Sequence, residues 1–240
     1  MPVGFMVRAP LAMFRKWWTT TSSISYDFPP PTAIAGLISA ILGFPKGENN
    51  KANYWNEMKG GQVAIVIESF RRLNMGINLI NTKKDKKYFV EHSQVMHQFV
   101  RDVSYIIFYK GPKEEQLYKY LENSWSKYTP YLGVAYALTQ LTLLGIGREE
   151  EVRDYYVDSV FPLTEDEDIP SIDVIGSSGV FSERMDYVMD ESRRRRGVIN
   201  VIYAKGPIYF KEKVFLSRLW MEGEVSEKKE YYVKWFPRWD

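Results

Sequence analysis

SISYDFPPPTAIAGLISAILGF, residues 23–44, sets three prolines directly before a run of small and aliphatic residues. Proline fixes φ and carries no amide proton, so Pro29, Pro30 and Pro31 stop the preceding structure and leave Thr32 as the expected N-cap of a helix over residues 33–42. Gly43 and Pro45 supply the stop signal. The free N–H groups and positive dipole end at such a helix start favour a phosphate, which makes Ser25, Tyr26 and Thr32 candidate binding residues.

Working outward, residues 3–9 (VGFMVRA) alternate as a strand, with Val3, Phe5, Val7 and Ala9 on one face and Gly4, Met6 and Arg8 on the other. Residues 62–69 (QVAIVIES) form a second strand followed directly by Arg71 and Arg72. From residue 74 to about 97 the apolar pattern weakens, and the lysine-rich KKDKK at 83–87 reads as the tip of a long projecting hairpin. Residues 98–109 (QFVRDVSYIIFY) return as a strand, Gly111-Pro112 breaks the chain, and residues 113–123 place Leu117, Tyr120 and Leu121 on one helical face. Residues 131–146 (YLGVAYALTQLTLLGI) are expected to supply a closing strand. The order is β-α-β-β-α-β, an α+β ferredoxin-like or RRM plan. It covers residues 1–148. Residues 149–240 read as a smaller C-terminal β-rich region, with GREEEVRD and TEDEDIP as exposed loops and VINVIYA and IYFKEKVF as strands.

Composition narrows the function. The 240 residues are 45% hydrophobic, enough for one substantial core or two modest ones. No apolar run reaches the roughly 18 residues of a membrane span and the first residues lack a signal-peptide pattern, so a cytoplasmic location without membrane contact is expected. With no cysteine and only two histidines, His92 and His97, neither a metal site nor a cofactor is expected. The net charge of +2 hides segregation: residues 1–113 carry 15 basic and 7 acidic groups, residues 114–192 carry 5 and 17, and residues 193–240 carry 12 and 6. A basic first portion suits a polyanion, and an acidic middle suits solvent or a basic protein partner.

Several stretches combine cations with flat side chains. Phe14, Arg15, Lys16, Trp17 and Trp18 place two cations among three aromatics, which fits a phosphate backbone with unstacked bases, although Trp17 and Trp18 also suit a cap on the core. Arg71 and Arg72 read either as a cationic shelf or as solvated surface arginines. His92, Gln94, His97, Gln98 and Arg101 interleave with apolar residues and offer donors along one edge. Arg8 joins them from its sheet face. His92 and His97 are chemically able to act as a general acid and base on RNA, but nothing in the sequence positions them for it. The RRRR run at 193–196 reads either as a neutraliser of the acidic middle or as a nucleic-acid contact.

Taken together, SISYDFPPPTAIAGLISAILG, HQFVRDVSYIIFY and TPYLGVAYAL resemble the CRISPR-associated Cas-five family, a RAMP-superfamily subunit, over roughly residues 1–140. Ser25, Tyr26, Pro29, Pro30, Thr32 and Gly36 carry the more specific signature; the Pro-Tyr-Leu-Gly of 130–133 is weaker. The resemblance implies an RRM-like domain with a protruding β-hairpin thumb and a variable β-region. It also implies a subunit of the type I Cascade antiviral complex that holds the 5′ handle of the crRNA and abuts the Cas-seven backbone and the large subunit. Tyr26, Thr32 and the helix start would then face RNA, and Gly36 would permit close helix packing. One branch of the family cuts precursor RNA with a tyrosine late in the first helix and a Lys-His pair. Here that tyrosine position is Leu42, and His92 and His97 follow Glu91 and Met96, so a non-catalytic subunit is expected. A metal-independent endoribonuclease is the alternative.

Overall fold

The computed structural model describes residues 1–80, 92–164, 169–177, 179–222 and 230–240. In chain order these form β1 (Val3–Ala12), β2 (Phe14–Arg15), β3 (Ser25–Tyr26), α1 (Pro31–Leu42), a 3-10 turn (Glu48–Asn50) and α2 (Tyr54–Met58). The chain continues through β4 (Gln62–Ile80), β5 (His92–Lys110), α3 (Glu114–Glu122) and β6 (Gln140–Val157). The remainder is all strand: β7 (Phe161–Leu163), β8 (Ile172–Asp173), β9 (Phe181–Met189), β10 (Arg195–Tyr203), β11 (Ile208–Glu222) and β12 (Glu230–Val233). The expected α+β class holds, with antiparallel sheet dominating.

The main sheet runs β12-β11-β6-β1-β5-β4, antiparallel throughout, with β8 attached to β11. Central β1 buries both faces, which is why its apolar content is nearly continuous. Val3, Phe5 and Val7 join Ile34, Ile38 and Ile41 of α1 and Leu117 and Leu121 of α3 in the principal core. Burying each large aliphatic there stabilises the fold by about 1.5–3 kcal/mol. On the opposite face Met6 packs with Ile106, Phe108, Leu219 and Met221.

The helix after the prolines starts two residues earlier than expected. Pro30 is the N-cap, Pro31 occupies the first helical position, and no side chain caps the end, so Thr32 is a first-turn residue and not the cap. The reason is local: the first helical N–H has no partner in any case, and Pro31 lacks one while its φ is preset for the helix. At the other end Gly43 takes φ +86° and its N–H donates to the Ser39 carbonyl at 2.9 Å, as the Gly-x-Pro signal predicted.

Other expectations need correction. Arg71 and Arg72 lie inside β4, which continues to Ile80 with His92–Gln98 of β5 opposite. The KKDKK tip lies outside the described residues. Residues 131–138 are not a strand: the Leu132 N–H donates to Ala137 O, and the Ala137 N–H returns to Val134 O. Gly133 makes this turn at φ +81°, where an added Cβ would fall 1.8 Å from the Met13 carbonyl oxygen. The closing strand is instead β6, which runs unbroken through residues 148 and 149, so the expected division there falls within a strand. GREEEVRD is therefore strand and not loop. Its charges pair across the ladder, as Glu150 does with Arg218 of β11. TEDEDIP lies largely outside the described residues.

A second sheet, β7-β10-β9, lays Met185, Val188, Ile199 and Val201 into the same core as α1. The C-terminal strands thus cover the helix that follows the prolines and leave only one strip of it open.

Candidate nucleic-acid interface

That open strip consists of small residues. Thr32, Ala33, Gly36 and Ala40 are half-exposed on α1 and form the floor of a groove of about 570 Å³. Tyr54, Tyr128 and Tyr131 form its walls, and Arg193 and Lys46 add positive charge at its lining. An added Cβ at Gly36 would sit 3.5 Å from the Tyr54 hydroxyl, an ordinary contact, so this glycine keeps the groove open and does not admit a close-packed helix as expected. Burial pushes the Tyr54 hydroxyl pKa up, outweighing the nearby Arg193 charge, so at neutral pH it is a neutral donor. Flat faces, a guanidinium and a helix start in one concavity suit a nucleotide.

The segment that enters the helix does different work. Ser25, Tyr26 and Asp27 are each buried. The Ser25 hydroxyl accepts the Phe14 N–H at 2.9 Å and so closes the β2–β3 turn. Phe14 itself is a core residue, edge-on to Tyr105 with ring centres 6.4 Å apart. Tyr26 donates its hydroxyl to the Arg184 carbonyl; burial first, then Asp186 and Glu183, push its pKa well up. Asp27 receives Arg72 in a two-pronged ion pair, Nε to Oδ1 at 2.8 Å and Nη2 to Oδ2 at 2.6 Å, and the Tyr203 hydroxyl donates to Oδ2 at 2.7 Å. Arg72 is thereby an anchor of the fold rather than a free shelf.

The loop carrying Arg15 to Trp18 is organised internally. Arg15 donates to the carbonyls of Thr19 (2.6 Å) and Thr20 (2.8 Å), and Lys16 pairs with Glu183 while lying over the rings of Trp18 and Tyr26. Trp18 meets the buried core residue Tyr26 edge-on, ring centres 6.0 Å apart, while both tryptophans stay open to solvent. They are 52% and 45% exposed and meet edge to face, with the Arg195 guanidinium 3.3 Å from the Trp17 ring centre.

The family model described as CRISPR-associated protein (Cas_Cas5) matches residues 3–164. The chain belongs to the Cas5 family. Its fold is similar to a chain of a "CRISPR RNA-guided surveillance complex" at 14% identity and TM-score 0.52, covering 87% of this chain and 91% of that one. It is also similar to a CRISPR protein from Archaeoglobus fulgidus at 10% identity and TM-score 0.52, covering 98% and 100%. No curated protein matches.

In this Cas5-family chain the remaining candidates lie along the β4–β5 hairpin and the outer sheet face. Arg71 and Arg101 oppose each other across β4 and β5, both exposed, with Asp102 3.7 Å from Arg101. Gln94 is exposed, while Gln98 is half-buried and gives its backbone N–H to Ser23 at 2.8 Å, tying the hairpin base to the tryptophan loop. The His97 ring lies 6.2 Å from Phe99. His92 is the first residue of β5, and its side chain is outside the description. Arg8 is exposed on β1, its carbonyl held by the Thr139 hydroxyl at 2.8 Å. The candidates therefore fall on three surfaces, and only Thr32 reaches the groove. Tyr54, Tyr128 and Tyr131 were not among the expected site residues, and Arg193 was left open within the RRRR run; the sequence signal for Tyr128 and Tyr131 was their three-residue spacing in KYTPY. Among the described residues no group of three or more His, Asp or Glu side chains could hold a metal ion, and no helix is long and apolar enough to cross a membrane.

Proposed function

We propose that this chain is the non-catalytic subunit of a type I CRISPR Cascade interference complex, working in the cytoplasm, where it holds and caps the 5′ handle of the crRNA. The observation that carries the reading is the groove beside the start of α1, whose floor includes the signature residues Thr32 and Gly36 and whose walls are tyrosines. RNA gripped at a single-stranded end needs flat platforms and phosphate donors more than an acid–base pair. The strand order β6-β1-β5-β4, with α1 and α3 packed on one face, supports a ferredoxin-like, RRM-type domain whose long β4–β5 hairpin is the thumb. In this reading the hairpin and the C-terminal strands meet the Cas-seven backbone and the large subunit. At the position where a cleaving relative would need a tyrosine, Leu42 is buried in the core and offers no proton.

The test incubates the purified chain with labelled repeat RNA in EDTA at two salt concentrations and reads binding and cleavage together. Binding that weakens with salt while the RNA stays intact is expected. Tyr131→Ala and Arg193→Ala should each weaken it about ten-fold, and Arg71→Ala should reduce the salt slope. A single specific cut, abolished in His97→Ala, overturns the non-catalytic reading. No binding at low salt overturns the RNA-holding role and leaves a subunit that contacts only protein.

A further inference from the structure

Far along the main sheet, β6 and β11 carry aromatic side chains that no part of the core uses. Tyr155 is 50% exposed and Phe215 60% exposed. Each has a cation over its ring: Lys213 Nζ lies 5.5 Å from the Tyr155 centre, and the Arg153 guanidinium lies 3.6 Å from that of Phe215, directly opposite it in the ladder. Arg153, Lys211 and Lys213 are all exposed, and among the described residues none of them forms an ion pair. The neighbouring acids are engaged elsewhere. Asp154 accepts the Tyr155 N–H at 2.7 Å and Glu212 accepts the Ser171 N–H at 3.0 Å, which leaves Glu151 as the carboxylate of the same face, two residues from Arg153.

We propose that this β6–β11 face binds single-stranded nucleic acid without sequence preference, and the proposal does not rest on the α1 groove. Cations without an ion-pair partner point to a polyanion, and the rings beneath two of them point to a polyanion that also has π faces. A purely apolar protein surface would leave Arg153, Lys211 and Lys213 desolvated and unpaired, and an acidic peptide would use the cations while leaving the rings idle. A single strand engages both, with bases stacked on the rings or on the guanidinium plane and phosphates on the lysines. By register Tyr155 and Phe215 are diagonal neighbours on adjacent antiparallel strands, roughly 7–8 Å apart at the backbone. That separation is close to the rise of successive nucleotides in an extended strand.

The test is fluorescence anisotropy of the full chain with a labelled oligouridylate of about 15 nucleotides, long enough for a site of this kind. Photo-cross-linking and peptide mapping of the same complex localise the contact. The Tyr155→Ala/Phe215→Ala double variant should lose about ten-fold or more in affinity. Arg153→Gln/Lys213→Gln should lower the slope of log affinity against log salt by about 1.4, and cross-links should map to residues 153–155 or 213–215. Failure of the wild type to bind at low salt overturns the proposal, as does a double variant that melts like the wild type and binds equally well. Arg193→Ala keeps the two readings apart: it should weaken repeat RNA while leaving oligouridylate binding at this face in place.

Discussion

Ser25 and Tyr26 share one signature with Thr32 and Gly36, yet the two pairs serve opposite ends. Ser25, Tyr26 and Asp27 are buried and tied to β2, β9, β4 and β10, whereas Thr32 and Gly36 are open on the floor of a groove. The prolines between them separate a lock from a surface. A shared motif therefore does not imply a shared role: residues can be required because they hold the binding residues still. That division makes distinct demands on substitution, and each can be measured.

The largest effect belongs to the lock. Asp27→Ala removes the acceptor for the Arg72 guanidinium and the Tyr203 hydroxyl together. Breaking a buried ion pair costs about 3–5 kcal/mol, and the lower end applies because Arg72 is half in solvent. A loss of about 3 kcal/mol should lower the melting temperature by roughly 6–12 °C. Repeat-RNA affinity per folded molecule should stay within about two-fold, since Asp27 does not line the groove. A melting temperature within a degree of wild type would show that the pair does not hold the entry segment. Tyr203→Phe isolates the smaller component, a single hydrogen bond to a charged acceptor, and should cost about 1.5 kcal/mol. Were Tyr203→Phe to cost as much as Asp27→Ala, the ion pair with Arg72 would contribute nothing.

The lock was hard to read because its partners are remote in sequence. Arg72 lies 45 residues from Asp27 and Tyr203 lies 176, so neither appears in any local pattern, and Arg72 beside Arg71 reads as surface charge. The first elements were legible because the alternation in residues 3–9, the apolar run in residues 62–69 and the Pro and Gly punctuation around α1 are local signals. β6 was misplaced for the converse reason. Residues 131–138 are apolar enough for a strand but turn at Gly133, while the acidic run that follows is a strand whose charges pair with β11. In the groove, Thr32 and Gly36 were visible in the signature. Tyr128, Tyr131 and Arg193 reach it from segments separated by β6 through β9, and only the folded chain brings them together.

The smallest effect has the opposite sign, and it is the sharpest test of the division. Glycine inside a helix is less stable than alanine by about 0.5–1 kcal/mol, because it loses more backbone freedom on folding. Gly36 has no positive φ to preserve, and its new methyl would meet the Tyr54 hydroxyl at an ordinary 3.5 Å. Gly36→Ala should therefore raise stability by about 0.5–1 kcal/mol, or roughly 1–4 °C in melting temperature. The same methyl stands on the groove floor, so repeat-RNA affinity should fall about five-fold. A protein that becomes more stable and binds worse can only have lost space for its ligand. If Gly36→Ala instead binds RNA as well as the wild type, the groove is not the interface, and the exposed tryptophans of the neighbouring loop take its place; if it is destabilised, the groove floor belongs to the lock and the division fails.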